Sequence, residues 1–396
     1  MKPSDFRRPY LVIPKLVEQP TWGGQLIVKT KGWSDRADIA GLKIGQSYEL
    51  YSLSNLSVLE STDDPLFAGE LSDRDSVALQ THVEHAVALA DLVAASAVET
   101  LGQEILDARG PRLNLLLKYT QALGNSYQAH IKDGTQHPTY LPKPESWYYF
   151  EPGLVTLGVK TGANWDTYRT ACEAIEKGIL ELGAQVKSGA LSYAAAQPKI
   201  AALIEQYNPK QFVNTVPIAK DQLVDLSAGG LHHSWEEDAA AAPNGNVLYE
   251  LQAEALDAVA TFRSFDKGKM ESDGTVRPLQ IPEYFEFIDR DPAANDPAAH
   301  ISTAAPDPAA GDASVVPLTK SRHYALEKLT LVGTGTTLSR PITRFMHLFV
   351  QSGRITVSTS EGEVTVGTAH SCFIPAAAAK YTVRSLADQS EILISY

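Results

Sequence analysis

Residue types that can bind a metal ion and move a proton lie together in one short stretch of this chain. Gln128 and His130 belong to SYQAHI, and Lys143 and Glu145 belong to the KPES segment that follows it. An amide oxygen, an imidazole nitrogen and a carboxylate together suit zinc or a similar divalent ion. Three such ligands leave a coordination position open for a substrate or water.

The spacing of Gln128 and His130 is that of two residues on one face of a β-strand. Alternate residues of a strand point to the same side, so both side chains are expected to face one interior. Taken alone, the pair is more simply explained as two polar residues at a strand end. A further ligand is available in SAGGLHHSW, where two glycines allow a tight turn that brings His232 or His233 to the start of a strand.

These segments resemble, in the same order, the motifs of the zinc-dependent type I mannose-6-phosphate isomerases (phosphomannose isomerases). That family carries QVHP, then KPE or KTE, then PAGTxHA, and this chain has QAHI, KPES and SAGGLHH. Three other segments extend the resemblance: WGG near the start, IGQSYELYS beside the family's IGESWE, and LNLLLKY beside its lysine-bearing strand.

The resemblance implies one zinc ion per chain, held by Gln128, His130, Glu145 and His232. His232 stands at the histidine of PAGTxHA, while the tight turn by itself allows either His232 or His233. We therefore expect His232 to be the ligand.

The resemblance also implies a reaction, the interconversion of mannose 6-phosphate and fructose 6-phosphate through an enediolate. Lys143 would act in proton transfer, and Arg263, in TFRSFD, would stabilise the charge that develops. Ser126 and Lys118 would contact the substrate or its phosphate. Three alternatives remain: a cupin metalloenzyme acting on another sugar, an iron oxygenase, and a non-catalytic sugar-binding cupin protein.

The chain departs from the family pattern at two places, and it also contains a second candidate for one motif. IKD (131–133) stands where the family has a proline and two acids, and the segment 250–263 is longer by a few residues. QHP (136–138) is a second candidate for the QxHP motif, and we place it in the loop after the strand. The first change alters the turn after His130, and the second affects the register of Arg263.

The order of patterns along the chain predicts a mainly β protein with two cupin (jelly-roll) barrels and a helical insertion. Short β-type runs dominate, one segment before the first metal motif (DLVAASAVETLGQEIL) is typical of an amphipathic helix, and two long helical patterns follow Trp165. The predicted regions are a catalytic cupin region (1–164 and 216–288), a helical insertion (165–215), a Pro/Ala/Asp-rich linker (289–320) and a C-terminal metal-free barrel (321–396). In that last barrel His347 and His370 are isolated, so we expect both to be structural histidines.

Composition restricts the partners. The formal net charge is -13 and the pI is near 5.3, with no basic run, which argues against nucleic acid or an anionic membrane as a main partner. Cys172 and Cys372 are far apart, which indicates neither a disulfide scaffold nor a cysteine metal site, and no segment has the pattern of a signal peptide or membrane span. We expect a cytoplasmic protein whose partner is a small sugar phosphate.

Overall fold

Strands dominate the fold. The structure is a computed structural model that describes residues 2–68, 70–71, 79–80, 86–226, 233–255, 257–304 and 311–396. The strands in this part of the chain are β1 (Tyr10–Ile13), β2 (Lys15–Glu18), β3 (Ile44–Leu50), β4 (Asn55–Ser57), β5 (Glu70–Leu71), β6 (Leu79–Gln80), β7 (Ala86–Ala88), β8 (Leu116–Ala122), β9 (Tyr127–Ala129), β10 (Glu145–Tyr149), β11 (Gly153–Val159), β12 (Val213–Ile218), β13 (Gln222–Asp225), β14 (His233–Trp235), β15 (Asn246–Gln252), β16 (Phe262–Phe265), β17 (Ile301–Thr303), β18 (Ala313–Lys320), β19 (Ala325–Val332), β20 (Thr337–Pro341), β21 (Met346–Ser352), β22 (Arg354–Thr359), β23 (Gly362–Gly367), β24 (Ser371–Ile374), β25 (Lys380–Ser385) and β26 (Gln389–Ser395).

Helices are fewer, and only one region of the chain has long ones. The α-helices are α1 (Leu26–Thr30), α2 (Pro65–Ala68), α3 (Leu89–Ala95), α4 (Ala97–Leu101), α5 (Gln103–Arg109), α6 (Trp165–Lys187), α7 (Tyr193–Tyr207), α8 (Asp257–Ala260) and α9 (Ile281–Phe287). The long helices α6 and α7 lie inside the predicted helical insertion. The predicted fold class, mainly β with a helical insertion, is confirmed.

The chain divides into two compact units, and each is built from separate segments. The first unit contains Met1–Gln121, Leu248–Glu254 and Thr303–Tyr396, and the second contains Ala122–Val247 and Ala255–Ser302. This division differs from the regions predicted from sequence, because it groups residues 1–121 with the C-terminal strands.

Antiparallel sheets form the first unit. One sheet has the strand order β18-β19-β26-β21-β24-β1-β4-β7, and a second has the order β20-β25-β22-β23. The N-terminal strand β1 lies between β24 and β4, with Tyr10 opposite Phe373 and Leu11 opposite Ser57. Residues near the start of the chain therefore complete the sheet that the last strands begin.

A buried ion pair near the start of the chain makes hydrogen bonds to the C-terminal part of the first unit. Lys31, at the end of α1, is 4% exposed, and its Nζ lies 2.8 Å from Oε1 of the fully buried Glu49 in β3. Lys31 also donates to the carbonyl of Ala369, and the hydroxyls of Ser47 and Ser371 donate to the Glu49 carboxylate. Burial lowers the pKa of Lys31, and the Glu49 charge opposes that shift.

Both C-terminal histidines make structural hydrogen bonds. The Nε2 of His347 donates to the Glu49 carbonyl and its Nδ1 accepts from the Tyr249 hydroxyl, each at 3.2 Å. The Nε2 of His370 donates to the Lys31 carbonyl at 3.2 Å. Burial lowers the pKa of His347 to about 3, so the ring is neutral and its Nδ1 can accept a hydrogen bond from the Tyr249 hydroxyl.

The segment DLVAASAVETLGQEIL forms α3, α4 and α5 and not one continuous helix, so that prediction was wrong. Ser96 ends α3 and caps α4, because its side chain accepts the amide of Glu99. Gly102 separates α4 from α5 at φ +95°, and a Cβ there would lie 2.3 Å from the Thr343 carbonyl oxygen. Serine favours an N-cap and glycine tolerates positive φ, and these local preferences outweigh the helical periodicity.

Parts of the predicted linker 289–320 are built into the fold. Asn295 is 3% exposed: its side-chain oxygen accepts the Val159 amide, and its amide group donates to the carbonyls of Asp289 and Asp291. The last residues of the segment form β18, which pairs with β19. Residues 305–310 lie outside the described part of the chain.

The second unit holds a five-stranded sheet with the order β12-β11-β14-β9-β16, and in the same unit β10 pairs with β13. Asn164 caps the N-terminus of α6 by accepting the amide of Thr167 at 2.9 Å. The buried face of α6, which includes Tyr168 and Ile175, packs into one apolar cluster with side chains of β9 and β16. Within the described residues, no helix is both long and apolar enough to cross a membrane.

We predict that Lys31→Met destabilises the protein by about 3–5 kcal/mol, because it leaves the Glu49 carboxylate buried without its cation. The double variant Lys31→Met/Glu49→Gln should recover most of that loss. Urea unfolding of both variants, beside Lys29→Met on the exposed side of α1, measures the difference. A Lys31→Met protein as stable as Lys29→Met would contradict a stabilising role for the pair.

Candidate functional site

Alternation along β9 separates an apolar face from a polar one. Tyr127, Ala129 and Ile131 all belong to the buried cluster that β9 shares with the helices. Gln128 and His130, between them, therefore lie on the opposite face, as the spacing predicts. Both are buried, with Gln128 at 7% and His130 at 1% exposure.

A backbone hydrogen bond fixes the orientation of His130. Its Nδ1 lies 2.7 Å from the carbonyl oxygen of Ala260, the last residue of α8. A carbonyl can only accept, so Nδ1 carries a proton, and in the neutral ring the lone pair is therefore on Nε2. That lone pair is directed to the neighbourhood of Glu145, whose Oε2 lies 3.6 Å from Nε2.

Glu145 opens β10 and connects two of the predicted residues. Its Oε2 lies 3.1 Å from Nζ of Lys143 and 3.6 Å from Nε2 of His130, and all three side chains are at most 6% exposed. A single carboxylate oxygen therefore faces both an ammonium group and an imidazole lone pair. The structure brings these three predicted residues together.

The donor set suits a divalent cation. Two atoms that share one zinc ion through bonds of about 2.1 Å at a tetrahedral angle are about 3.4 Å apart, close to the separation of His130 Nε2 and Glu145 Oε2. The proton of His130 is held by a second partner, which is the usual arrangement for a ligating histidine. Among the residues that the structure describes, no group of three or more His, Cys, Asp and Glu side chains could hold a metal ion.

Two of the four predicted ligands are not counted in such a group. Gln128 offers an amide oxygen, which lies outside those four residue types. His232 lies outside the described residues. Of the predicted ligands, the structure places His130 and Glu145 close together, and Gln128 lies on the same side of the chain as His130.

A row of three residues crosses the sheet at Gln128. Gln128 pairs with Arg263 in β16 on one side and with His233 in β14 on the other. Arg263 is half-buried, and its carbonyl accepts the amide of Gln280 at 3.0 Å. The segment before Arg263 contains α8, and after it Arg263 lies opposite Gln128.

Ser126 is fully buried beside the row. Its amide and its hydroxyl both donate to the side-chain oxygen of Asn125, at 2.7 and 3.3 Å. Asn125 itself is bound to β14, because its backbone amide donates to the backbone carbonyl of Trp235. These contacts fix the chain at the start of β9.

Lys118 belongs to a polar network of the first unit. Its Nζ donates to Glu250 Oε1 at 2.9 Å and to Gln252 Oε1 at 2.6 Å. The other oxygen of Glu250 accepts from Gln46 and Thr120, each at 3.4 Å. Sequence reasoning found Lys118 but not Glu250 as its partner; the signal available was the alternation of Glu250 and Gln252 in β15.

Buried aromatic rings continue the face that carries Glu145. Trp147, two residues further along β10, packs on Trp235 of β14 with ring centroids 4.6 Å apart. Trp147, Tyr148 and Tyr149 are each at most 1% exposed, as expected for core residues. These rings keep β10 in place behind the carboxylate.

Sequence reasoning also missed the contribution of α8. The Ala260 carbonyl binds His130, and the Val259 carbonyl accepts the amide of Leu141 at 2.8 Å. On the α8 side both contacts use backbone carbonyls, so no residue type in the sequence predicts them. Only the extra length of the segment 250–263 pointed to a local difference.

Comparison with known proteins identifies the architecture. No protein-family model matches the sequence, and no curated protein matches it. Solved structures do match: mannose 6-phosphate isomerase from Bacillus subtilis has a TM-score of 0.64 at 14% identity, covering 98% of this chain and 99% of that one.

Two further structures agree with the first. A zinc-bound mannose 6-phosphate isomerase has a TM-score of 0.62 at 12% identity, covering 97% of this chain and 98% of its own. A variant of phosphomannose isomerase from Salmonella typhimurium has a TM-score of 0.61 at 13% identity, covering 98% and 99%. The chain therefore has the fold of the mannose-6-phosphate isomerases along nearly its whole length.

Proposed function

We propose that this protein is a metal-dependent aldose-ketose isomerase that interconverts mannose 6-phosphate and fructose 6-phosphate. The observation that carries the proposal is the buried group of His130, Lys143 and Glu145, in a chain with the fold of mannose-6-phosphate isomerases. A base, a carboxylate and an oriented imidazole are the groups that such a reaction needs.

Zinc is the proposed cofactor. His130 Nε2 and a Glu145 oxygen would hold it, together with the amide oxygen of Gln128 and a histidine at position 232 or 233. Bound there, a divalent ion supplies electrostatic stabilisation of the negative charge that develops on the sugar oxygens. The Ala260 carbonyl supports this assignment, because it keeps the His130 lone pair on Nε2.

Lys143 is the proposed proton-transfer residue. Its ammonium group shares Glu145 Oε2 with the imidazole, so a cation bound by that carboxylate would compete with the ammonium for it. An ammonium that loses its counter-charge gives up a proton more readily. Lys143 would then take a proton from one carbon of the open-chain sugar and return it to the next.

Arg263 and the two predicted substrate contacts complete the proposal. Arg263 is a permanent cation in the row of Gln128, where it would stabilise the enediolate charge. Ser126 and Lys118 would contact the substrate or its phosphate. Lys118 already has Glu250 and Gln252 as acceptors, which would hold its ammonium group in place for that contact.

We predict that the zinc-loaded protein converts mannose 6-phosphate into fructose 6-phosphate, and that a chelator abolishes the conversion. Zinc at about 100 times its dissociation constant should stabilise the fold by about 2.7 kcal/mol. His130→Ala and Glu145→Ala should lose both effects, while His323→Ala in the first unit should keep them. A coupled assay and thermal unfolding measure the two effects; metal-loaded protein that leaves both sugar phosphates unchanged would refute the proposal.

Lys143→Met should separate metal binding from catalysis. We expect kcat to fall by about 100-fold to 10,000-fold, because the proton-transfer group is lost. Zinc should bind at least as tightly, because Glu145 no longer pairs with an ammonium group. Steady-state kinetics and zinc titration test both parts, with Lys132→Met at the exposed Lys132 as the control. Unchanged kcat in Lys143→Met would exclude the proton-transfer role.

We expect substitutions of the two neighbouring histidines to affect zinc binding differently. His232 matches the family motif, whereas position 233 pairs directly with Gln128 in the sheet. Following the motif, we expect His232→Ala to weaken zinc binding strongly and His233→Ala to weaken it less. Zinc titration of both variants decides the assignment, and the reverse order would move the ligand to His233.

A further inference from the structure

The loop between β9 and β10 has both of its ends fastened to α8. At its start, His130 donates to the Ala260 carbonyl, and near its end Leu141 donates to the Val259 carbonyl. Lys143 follows two residues after Leu141. The positions of Lys143 and Glu145 relative to His130 therefore depend on how the residues between these anchors are held.

His137, in the middle of this loop, folds the loop onto its own backbone. Its Nδ1 accepts the amide protons of Thr139 and Tyr140, at 3.2 and 3.1 Å. Pro138, between His137 and Thr139, has no amide proton to offer. One imidazole nitrogen thus satisfies two consecutive available donors and sets the turn that leads to Leu141.

An aromatic cluster holds the His137 ring. It stacks on Tyr140 with centroids 5.0 Å apart and meets the edge of Phe287 in α9 at 5.4 Å. Tyr140 packs edge-on against Phe262 at 4.9 Å, and Phe262 stacks on Phe287 at 5.2 Å. Because Phe262 directly precedes Arg263, the cluster connects the loop to the strand that carries the proposed catalytic arginine.

We propose that His137 is a positioning residue, which holds the β9–β10 loop so that Lys143 and Glu145 lie opposite His130. The proposal rests on the proposed function for its catalytic consequence. The clamp, meaning the two hydrogen bonds that His137 Nδ1 accepts from the amides of Thr139 and Tyr140, is a property of the loop and can be measured without turnover. No family motif includes this histidine, which the sequence offered only as a second QxHP candidate.

The clamp requires the unprotonated form of Nδ1. A protonated imidazole would direct an N–H at the amide protons of Thr139 and Tyr140, so the turn would lose both hydrogen bonds. The clamp therefore requires the lone pair on Nδ1, which places the proton of the neutral ring on Nε2.

In the described part of the chain, α9 and the residues after it bring carboxylates to this loop. On the loop itself, Tyr140 donates its hydroxyl to Glu283 of α9 at 3.3 Å, and the charge of Glu286 also acts on Tyr140. After α9, Lys132 pairs with Asp289 at 3.0 Å. From β16 the cluster receives Phe262, which carries no charge.

Three substitutions separate the clamp from simple packing. His137→Phe keeps an aromatic ring for the stack but removes the acceptor, and His137→Asn restores an acceptor without the ring. Gln136→Ala changes the exposed neighbouring residue and serves as the matched control. We expect the loop amides to exchange hydrogen faster in His137→Phe, with recovery in His137→Asn and no change in Gln136→Ala.

Two further measurements test the consequence for the site. In His137→Phe, zinc affinity should fall by about 10-fold to 100-fold, and kcat should fall by a similar factor with KM nearly unchanged.

Hydrogen exchange and zinc affinity distinguish a wrong proposed reaction from a wrong role for His137. The wild type and all variants could lack isomerase activity while His137→Phe still opens the loop and weakens zinc binding. In that case the clamp stands and the proposed reaction is wrong. If His137→Phe matches the wild type in exchange and in zinc affinity, His137 positions nothing and the inference is overturned.

Discussion

Alternation along β9 is the constraint on which the candidate site depends. One side of the strand contributes Tyr127, Ala129 and Ile131 to the apolar cluster with the helices, so the other side must present Gln128 and His130. A shift of one residue would place the polar pair among apolar side chains and the apolar set on the polar face, at a cost of several kcal/mol. The helical insertion therefore acts on the site at a distance, because its packing fixes the register of the strand that carries the ligands.

Among the residues that the structure describes, three ion pairs join a buried lysine to a buried glutamate, and their surroundings differ. Around Lys31 and Glu49, serine hydroxyls and a carbonyl fill the remaining hydrogen-bonding positions, and the pair is a structural element. Around Lys118 and Glu250, amide and hydroxyl groups do the same. At Lys143 and Glu145 the imidazole of His130 also lies near the carboxylate, and an imidazole and a carboxylate can bind one cation together.

The sequence was informative where function and structure follow from local patterns. Period-two spacing placed Gln128 and His130 on one face, and long apolar periodicity placed α6 and α7 inside a β-rich chain. It was uninformative where the determining contact is made by backbone atoms or by residues far along the chain. The carbonyls of Val259 and Ala260 have no side-chain signature, and the close approach of Thr343 to Gly102 is contained in no local pattern.

The first unit is discontinuous, and this imposes an order on its assembly. The contact between Lys31 and Ala369 closes a separation of 338 residues, and β1 pairs with β24 across a similar distance. During synthesis all segments of the second unit emerge before β18 to β26 are made, so the unit that holds His130, Lys143 and Glu145 can close first. The N-terminal strands must wait, with β1 lacking one neighbour and Glu49 lacking the hydroxyl of Ser371, until the last strands leave the ribosome. Long-range closure of this kind slows folding and leaves sheet edges open to other chains, so nascent protein should depend on chaperones for the N-terminal segment and not for the candidate site.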